Sequence, residues 1–184
     1  METKGIYLVG FSGTGKSTIA RPLGLGLGWP VFDLDACIVE RCGMAIPEIF
    51  AQEGEAGFRA REAAALREIP ESGPFVMATG GGAFVAAENR ALMASRGSAF
   101  ALEARPETIY ARIERQRRLA EPGAARPLLE AGDPIERIRS LKALRQGAYA
   151  LADWTVHTDR LCVEQVVGEI LRGRELLEAA KEVV

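Results

Sequence analysis

The chain has 184 residues, 48% hydrophobic and 26% charged, with a formal net charge of −2. That length suits one domain with a single substantial core, and the composition is that of a soluble globular protein. The near-neutral charge gives no global attraction for nucleic acid or an anionic membrane, and no apolar run approaches the roughly 18 residues of a membrane span.

From the N-terminus, the apolar run Ile6-Tyr7-Leu8-Val9 reads as a strand, and residues 16–27 have helical spacing. Between them stands Gly10-Phe11-Ser12-Gly13-Thr14-Gly15-Lys16-Ser17-Thr18, which matches the phosphate-binding loop G-x4-G-K-[ST] in its required strand–loop–helix context. Backbone N–H groups freed to turn inward at Gly13 and Gly15 form a nest for phosphate oxygens, and the helix start adds its positive end. Gly13, Thr14, Gly15, Lys16, Ser17 and Thr18 are therefore the expected nucleotide-binding residues. Lys16 reaches for the β- and γ-phosphates, and the Ser17 hydroxyl for Mg2+. With the loop complete by residue 18, no signal peptide is expected ahead of it. Pro22 falls beyond the first turn of the helix and should kink it or shift its course.

A second strand, 31–32, runs into Asp33-Leu34-Asp35 and a helix over 34–41. Ligands in open α/β sheets sit beyond the carboxyl ends of strands, so both carboxylates would lie near the bound nucleotide. One can help hold a metal ion and its waters; the other can orient and deprotonate an attacking alcohol. Asp33 could equally just cap the helix. Cys37, Cys42 and Cys162 are odd in number, lack zinc-site spacing and read as reduced thiols of a cytoplasmic protein.

Helices are expected over 46–51 and 55–67, and on the second Arg59 and Glu62 share a face. Nothing local separates Arg59 from Arg61. The strand 75–78 leads into Thr79-Gly80-Gly81-Gly82, more glycine than a simple turn requires and suited to the wall of a binding site. Further helices are expected at 87–95, 106–117, 134–152 and 163–180, and strands at 99–102 and 155–157. Pro106 and Pro134 suit first helical turns. Residues 119–127 read as a flexible loop, flanked by a basic cluster of Arg112, Arg115, Arg117, Arg118 and Arg126 that is either a solvated face or a source of charge for phosphates. His157, the sole histidine, is expected to pack rather than react.

Strands alternating with helices predict a mainly parallel sheet covered on both faces. The motifs together resemble the shikimate kinase family over nearly the full chain. The carriers are Gly10–Thr18, Asp33 with Asp35, Phe58-Arg59 with Glu62, Thr79–Gly82, Arg126-Pro127-Leu128-Leu129, and Arg145 with Tyr149. The resemblance implies an α/β three-layer P-loop kinase fold, with a five-stranded parallel sheet of order 2-3-1-4-5. It implies one kinase domain over 1–184, with a substrate-binding part at about 33–62 and a mobile lid at about 115–128. It further implies transfer of the ATP γ-phosphate to the 3-hydroxyl of shikimate, with Mg2+ as cofactor. By the same resemblance Lys16, Asp35 and Arg126 are catalytic. Asp35, Arg59, Gly81 and Arg145 bind the acid, with the two arginines on its carboxylate. Ser17 and Asp33 serve the metal, and Arg126 comes from the lid to the ATP. The expected partners are ATP and shikimate alone, with no nucleic acid and no membrane, for a cytoplasmic monomer.

Three features depart from the family's pattern. The stretch before Arg126 is slightly long, which leaves the adenine-stacking arginine open among Arg115, Arg117 and Arg118. The run after Tyr149 is one residue short, and Pro22 interrupts the first helix. Alternative readings are a kinase of another hydroxy acid such as gluconate or quinate, or a nucleotide-binding protein that has lost phosphoryl transfer.

Overall fold

A computed structural model describes residues 5–69, 73–119 and 133–182. In chain order the elements are β1 (Gly5–Val9), α1 (Lys16–Leu27), β2 (Val31–Asp33), α2 (Leu34–Cys42), α3 (Ile46–Arg67) and β3 (Phe75–Ala78). A short 3-10 turn (Ala83–Val85) precedes α4 (Ala87–Arg96), β4 (Ser98–Glu103), α5 (Pro106–Leu119), α6 (Pro134–Tyr149), β5 (Trp154–His157) and α7 (Val163–Glu182).

The five strands form one sheet of order β2-β3-β1-β4-β5, and every pairing is parallel. This is the expected fold class and order. β1, β3 and β4 are buried along their whole length, as central strands covered on both faces must be. Their alternate residues feed two cores. Ile6 and Leu8 of β1 face Ile19, Leu23, Val166 and Ile170 of α1 and α7. Tyr7 and Val9 face the opposite layer, where Leu34, Phe58, Leu66, Met93, Ile109, Ile138 and Tyr149 come from α2 through α6. Period-2 side-chain alternation on the strands thus decides which helices cover which face.

The helices begin and end where local chemistry requires. Asp33 caps α2 by accepting from the Asp35 and Ala36 N–H groups, and Asp133 caps α6 in the same way. The two helices expected over 46–51 and 55–67 form one run broken at Gly54, whose φ of 67° no β-branched or bulky residue would adopt readily. α1 runs on through Pro22 to Leu27, so the proline forgoes its bond to the Thr18 carbonyl without ending the helix. α6 is shorter than the expected 134–152: its last helical residue is Tyr149, and the Leu151 and Ala152 N–H groups turn back to the Ala148 and Tyr149 carbonyls. The turn at Ala83–Val85 had no signature in the sequence. His157 is exposed, which overturns its expected packing role. Cys37 and Cys42 are half-buried, Cys162 is exposed, and all three are unpaired.

Candidate active site

The phosphate loop leaves β1 through Gly10, which has a φ of 129°, and a Cβ there would meet the Leu102 carbonyl of β4 at 2.4 Å. Only glycine fits both the backbone conformation and the approach. Gly13 and Gly15 also take positive φ, and Thr14 closes the loop with a 2.9 Å hydrogen bond from its hydroxyl to the Phe11 carbonyl. Lys16, 7% exposed, curls over the loop and donates to the Gly10 and Phe11 carbonyls at 2.9 Å each. Ser17 and Thr18 stand exposed at the start of α1.

The Ser17 hydroxyl donates to Asp33 Oδ2 at 2.6 Å, while Asp33 Oδ1 caps α2. The capping role expected for Asp33 is therefore observed on one oxygen, while the other is held by Ser17. Asp35, in the first turn of α2, is exposed toward the opening. Among the described residues no cluster of three or more His, Cys, Asp or Glu forms a dedicated metal cage.

The three glycines after β3 each make room for a different neighbour. A Cβ on Gly80 would lie 2.5 Å from Glu62 Oε1 and 3.0 Å from Asp35 Oδ1. A Cβ on Gly81 would press the Ser12 backbone nitrogen at 3.1 Å, and one on Gly82 would overlap the Arg59 guanidinium at 2.4 Å. None of the three has positive φ, so it is close approach rather than backbone freedom that these positions require. The triple glycine is a surface on which the acidic, basic and phosphate-loop groups all converge.

Arg59 and Arg61, alike in the sequence, part company in the fold. Arg59 donates to Glu62 at 2.7 Å, whereas Arg61 faces outward and pairs with Glu53. Burial opposes the charge on Arg59, but Glu62 and Glu55 together outweigh it and hold the guanidinium above its usual pKa. Burial pushes the Glu62 carboxyl up against the pull of Arg59. Glu62 is 1% exposed, and its Oε1, the oxygen toward Gly80, has no hydrogen-bond partner. From α6, Arg145 stacks on the Phe11 ring at 5.5 Å and donates to the Gly81 carbonyl at 3.3 Å. Tyr149 hydrogen-bonds the same carbonyl.

Arg112 was placed only within a basic cluster by the sequence, yet it is the arginine of α5 that reaches the phosphate loop. Its guanidinium donates to the Thr14 carbonyl at 3.1 Å and to both oxygens of Thr158 just past β5, at 2.9 and 2.7 Å. Arg117 is bound loosely to Glu114 at 3.7 Å, on the exposed side of the same helix. Helical spacing alone would have put Arg112 and Arg115 on one face, so only the packing of α5 on the loop distinguishes them. Arg126, Pro127, Leu128 and Leu129 lie outside the described residues, as does most of the expected lid at 115–128.

Lys16, Ser17, Asp33, Asp35, Arg59, Gly81 and Arg145 thus come from segments that follow the carboxyl ends of β1, β2 and β3 or reach the glycines there. Comparison with known proteins places nearly the whole chain among relatives of one kind. The family model described as "Shikimate kinase" matches residues 12–174. A shikimate kinase of Cupriavidus pinatubonensis is 38% identical over 179 residues, covering 96% of this chain and 90% of that one. One from Geobacter sulfurreducens is 41% identical over 169 residues, covering 92% and 90%. The solved structure of shikimate kinase from Acinetobacter baumannii in complex with shikimate superposes with a TM-score of 0.84 at 35% identity, over 97% of this chain and 95% of that one. A gluconokinase from Sinorhizobium meliloti, at 17% identity and a TM-score of 0.64, shares the fold alone.

Proposed function

Because this chain belongs to the shikimate kinase family, we propose that its residues divide the work of that reaction between a donor half and an acceptor half. The chain is an ATP-dependent kinase, a phosphotransferase with ATP as co-substrate. The proposed reaction moves the ATP γ-phosphate to the 3-hydroxyl of shikimate, giving shikimate 3-phosphate and ADP. The observation that carries it is the meeting of two kinds of site at one sheet edge. The phosphate loop follows β1, while Asp35, the Gly80–Gly82 surface, Arg59 and Arg145 gather from β2, β3, α3 and α6. A protein that only bound nucleotide would need no carboxylate and no pair of arginines on the acceptor side.

On the donor side, Gly13 to Thr18 cradle the phosphates and Lys16 moves from the loop carbonyls onto them. Ser17 and Asp33 fit Mg2+: one hydroxyl and one carboxylate suit an ion that keeps several waters and shares phosphate oxygens. Bound there, Mg2+ would neutralise charge on the phosphates. Arg126 is assigned to the same phosphates from the lid at about 115–128. Arg112, which joins Thr14 to Thr158, takes the nucleotide side in preference to Arg115, Arg117 or Arg118. On the acceptor side, Asp35 takes the hydroxyl proton and Gly81 offers its N–H. Arg59 and Arg145 hold the carboxylate, with Arg59 braced by Glu62 so that its planar fork is set before the acid arrives. The whole of 1–184 acts as one kinase domain, with the substrate-binding part at about 33–62. The unpaired cysteines support a reducing, cytoplasmic setting, in which the chain is taken to act as a monomer.

A coupled ADP-release assay across shikimate, quinate and gluconate tests the assignment. Turnover should require shikimate; turnover with gluconate and none with shikimate would overturn it. Tight ATP binding without turnover on any acid would instead favour the binding-only reading. Within the site, Gly82→Ala should displace the Arg59 guanidinium, the movable end of a flexible side chain, at little cost to the fold. Loss of a charge-assisted contact predicts an increase in KM for shikimate of about tenfold or more, with KM for ATP nearly unchanged. Steady-state kinetics varying each substrate in turn would show it, and an unmoved KM for shikimate would remove Arg59 from the site.

A further inference from the structure

The Gly81 peptide lies where two parts of the fold meet. Its carbonyl accepts from the Tyr149 hydroxyl and from Arg145 Nη1 at 3.3 Å, while on the other side Gly81 packs against the Ser12 nitrogen of the phosphate loop. Arg145 and Tyr149 are four residues apart and therefore neighbours on one face of α6. The same helix sends Lys142 and Gln146 to Glu103 at the end of β4. α6 is thus fixed by polar contacts at the ends of β3 and β4, and the contact at β3 is to the peptide that borders the site.

Tyr149 is 1% exposed, and burial pushes its phenol up to about 12 against the pull of Arg145, so the hydroxyl keeps its proton and donates throughout the working range. A peptide unit is planar, so a bond to the Gly81 carbonyl fixes the plane between Gly81 and Gly82. With glycine at 80, 81 and 82, no side chain otherwise restrains φ and ψ there, and without that bond the plane, with the Gly82 N–H it carries, would be free to swing.

We propose that Tyr149 is a positioning residue for acid binding: through the Gly81 carbonyl it fixes the Gly81–Gly82 peptide plane at the wall of the site, with the Gly82 N–H it carries, and it shares an acceptor with Arg145, fixing where that guanidinium can reach. The inference rests on the reading above that the Gly80–Gly82 surface and Arg145 meet the carboxylated substrate.

Tyr149→Phe keeps the buried ring and removes only the hydroxyl. KM for shikimate should rise about three- to tenfold, the loss of one hydrogen bond, with KM for ATP within about twofold of wild type. In protein labelled with 13C at glycine carbonyls, the Gly81 resonance should move in the same variant. A merely structural tyrosine would lower the thermal midpoint without splitting the two KM values. Equal changes in both KM values, or an unmoved Gly81 resonance, would overturn the proposal. Should Tyr149→Phe fail to fold, wild-type chain grown with 3-fluorotyrosine carries a more acidic phenol, and the Gly81 carbonyl resonance must shift if that hydroxyl donates to it. Failure of the wild-type protein to phosphorylate shikimate would count against the functional reading alone, since the resonance reads the hydrogen bond independently.

Discussion

Lys16→Ala is expected to lower kcat by about 10^3-fold or more, the scale on which a cation at a transferring phosphoryl group acts. In the chain without nucleotide, the ammonium group rests on the Gly10 and Phe11 carbonyls at 2.9 Å, so it is already gathered at the mouth of the phosphate nest. Moving from those acceptors to phosphate oxygens exchanges neutral partners for charged ones, and the gain is greatest when negative charge builds up during transfer. Because alanine also removes the ammonium from both loop carbonyls, of which Phe11 keeps the Thr14 hydroxyl, some loss of stability will accompany the loss of rate. A thermal melt separates the two: the protein should remain folded at the assay temperature while single-turnover phosphorylation collapses. Retention of kcat within tenfold of wild type would show that the charge on the phosphates comes from elsewhere. Lys16→Arg should recover little, since the longer planar fork cannot replace a compact ammonium in a loop this closed.

Asp35→Asn is expected to reduce kcat by about 10^2- to 10^4-fold, the usual contribution of a positioned general base. Asparagine preserves the size of the side chain and its place in the first turn of α2, but cannot take a proton from the acceptor hydroxyl. The residue stands beside Gly80, where the absence of a Cβ leaves room for both Asp35 and Glu62. ATP affinity should hardly change, because the nucleotide contacts proposed above lie on the phosphate loop and α1. Isothermal titration with ATP and steady-state kinetics with shikimate would test the two halves of the statement. A variant that kept most of its activity would show that Asp35 is not the base.

How much of this was legible in the sequence differs from residue to residue. Lys16 and Ser17 were placed by spacing, because a nest of N–H groups is made by consecutive backbone and a nine-residue string suffices to encode it. Asp33 was legible as a carboxylate at a strand end, although its double duty, one oxygen on Ser17 and one on the helix start, needed coordinates. Spacing could not tell Arg59 from Arg61, and only the family resemblance singled it out; both lie on a helix, and the packing of α3 against the β3 loop turns one inward. The end of α6 was placed three residues late because the apolar run 150–152 continues the helical pattern while the backbone has already turned. Arg112 was hidden among its basic neighbours, and its partners Thr14 and Thr158 lie 98 and 46 residues away.

By itself, then, the sequence determined the donor: a phosphate loop between a strand and a helix, and the parallel α/β order that puts strand ends on one edge. Those features depend on neighbours along the chain and on side-chain periodicity, both of which can be read from a string of residues. The residues proposed for the acceptor side were named through resemblance, and their arrangement was decided by tertiary structure. Arg59, Glu62, Arg145 and Tyr149 come together on three glycines that lack the side chains to keep them out. Such convergence depends on how α3 and α6 pack over the ends of β3 and β4, and no spacing within either helix records that distance.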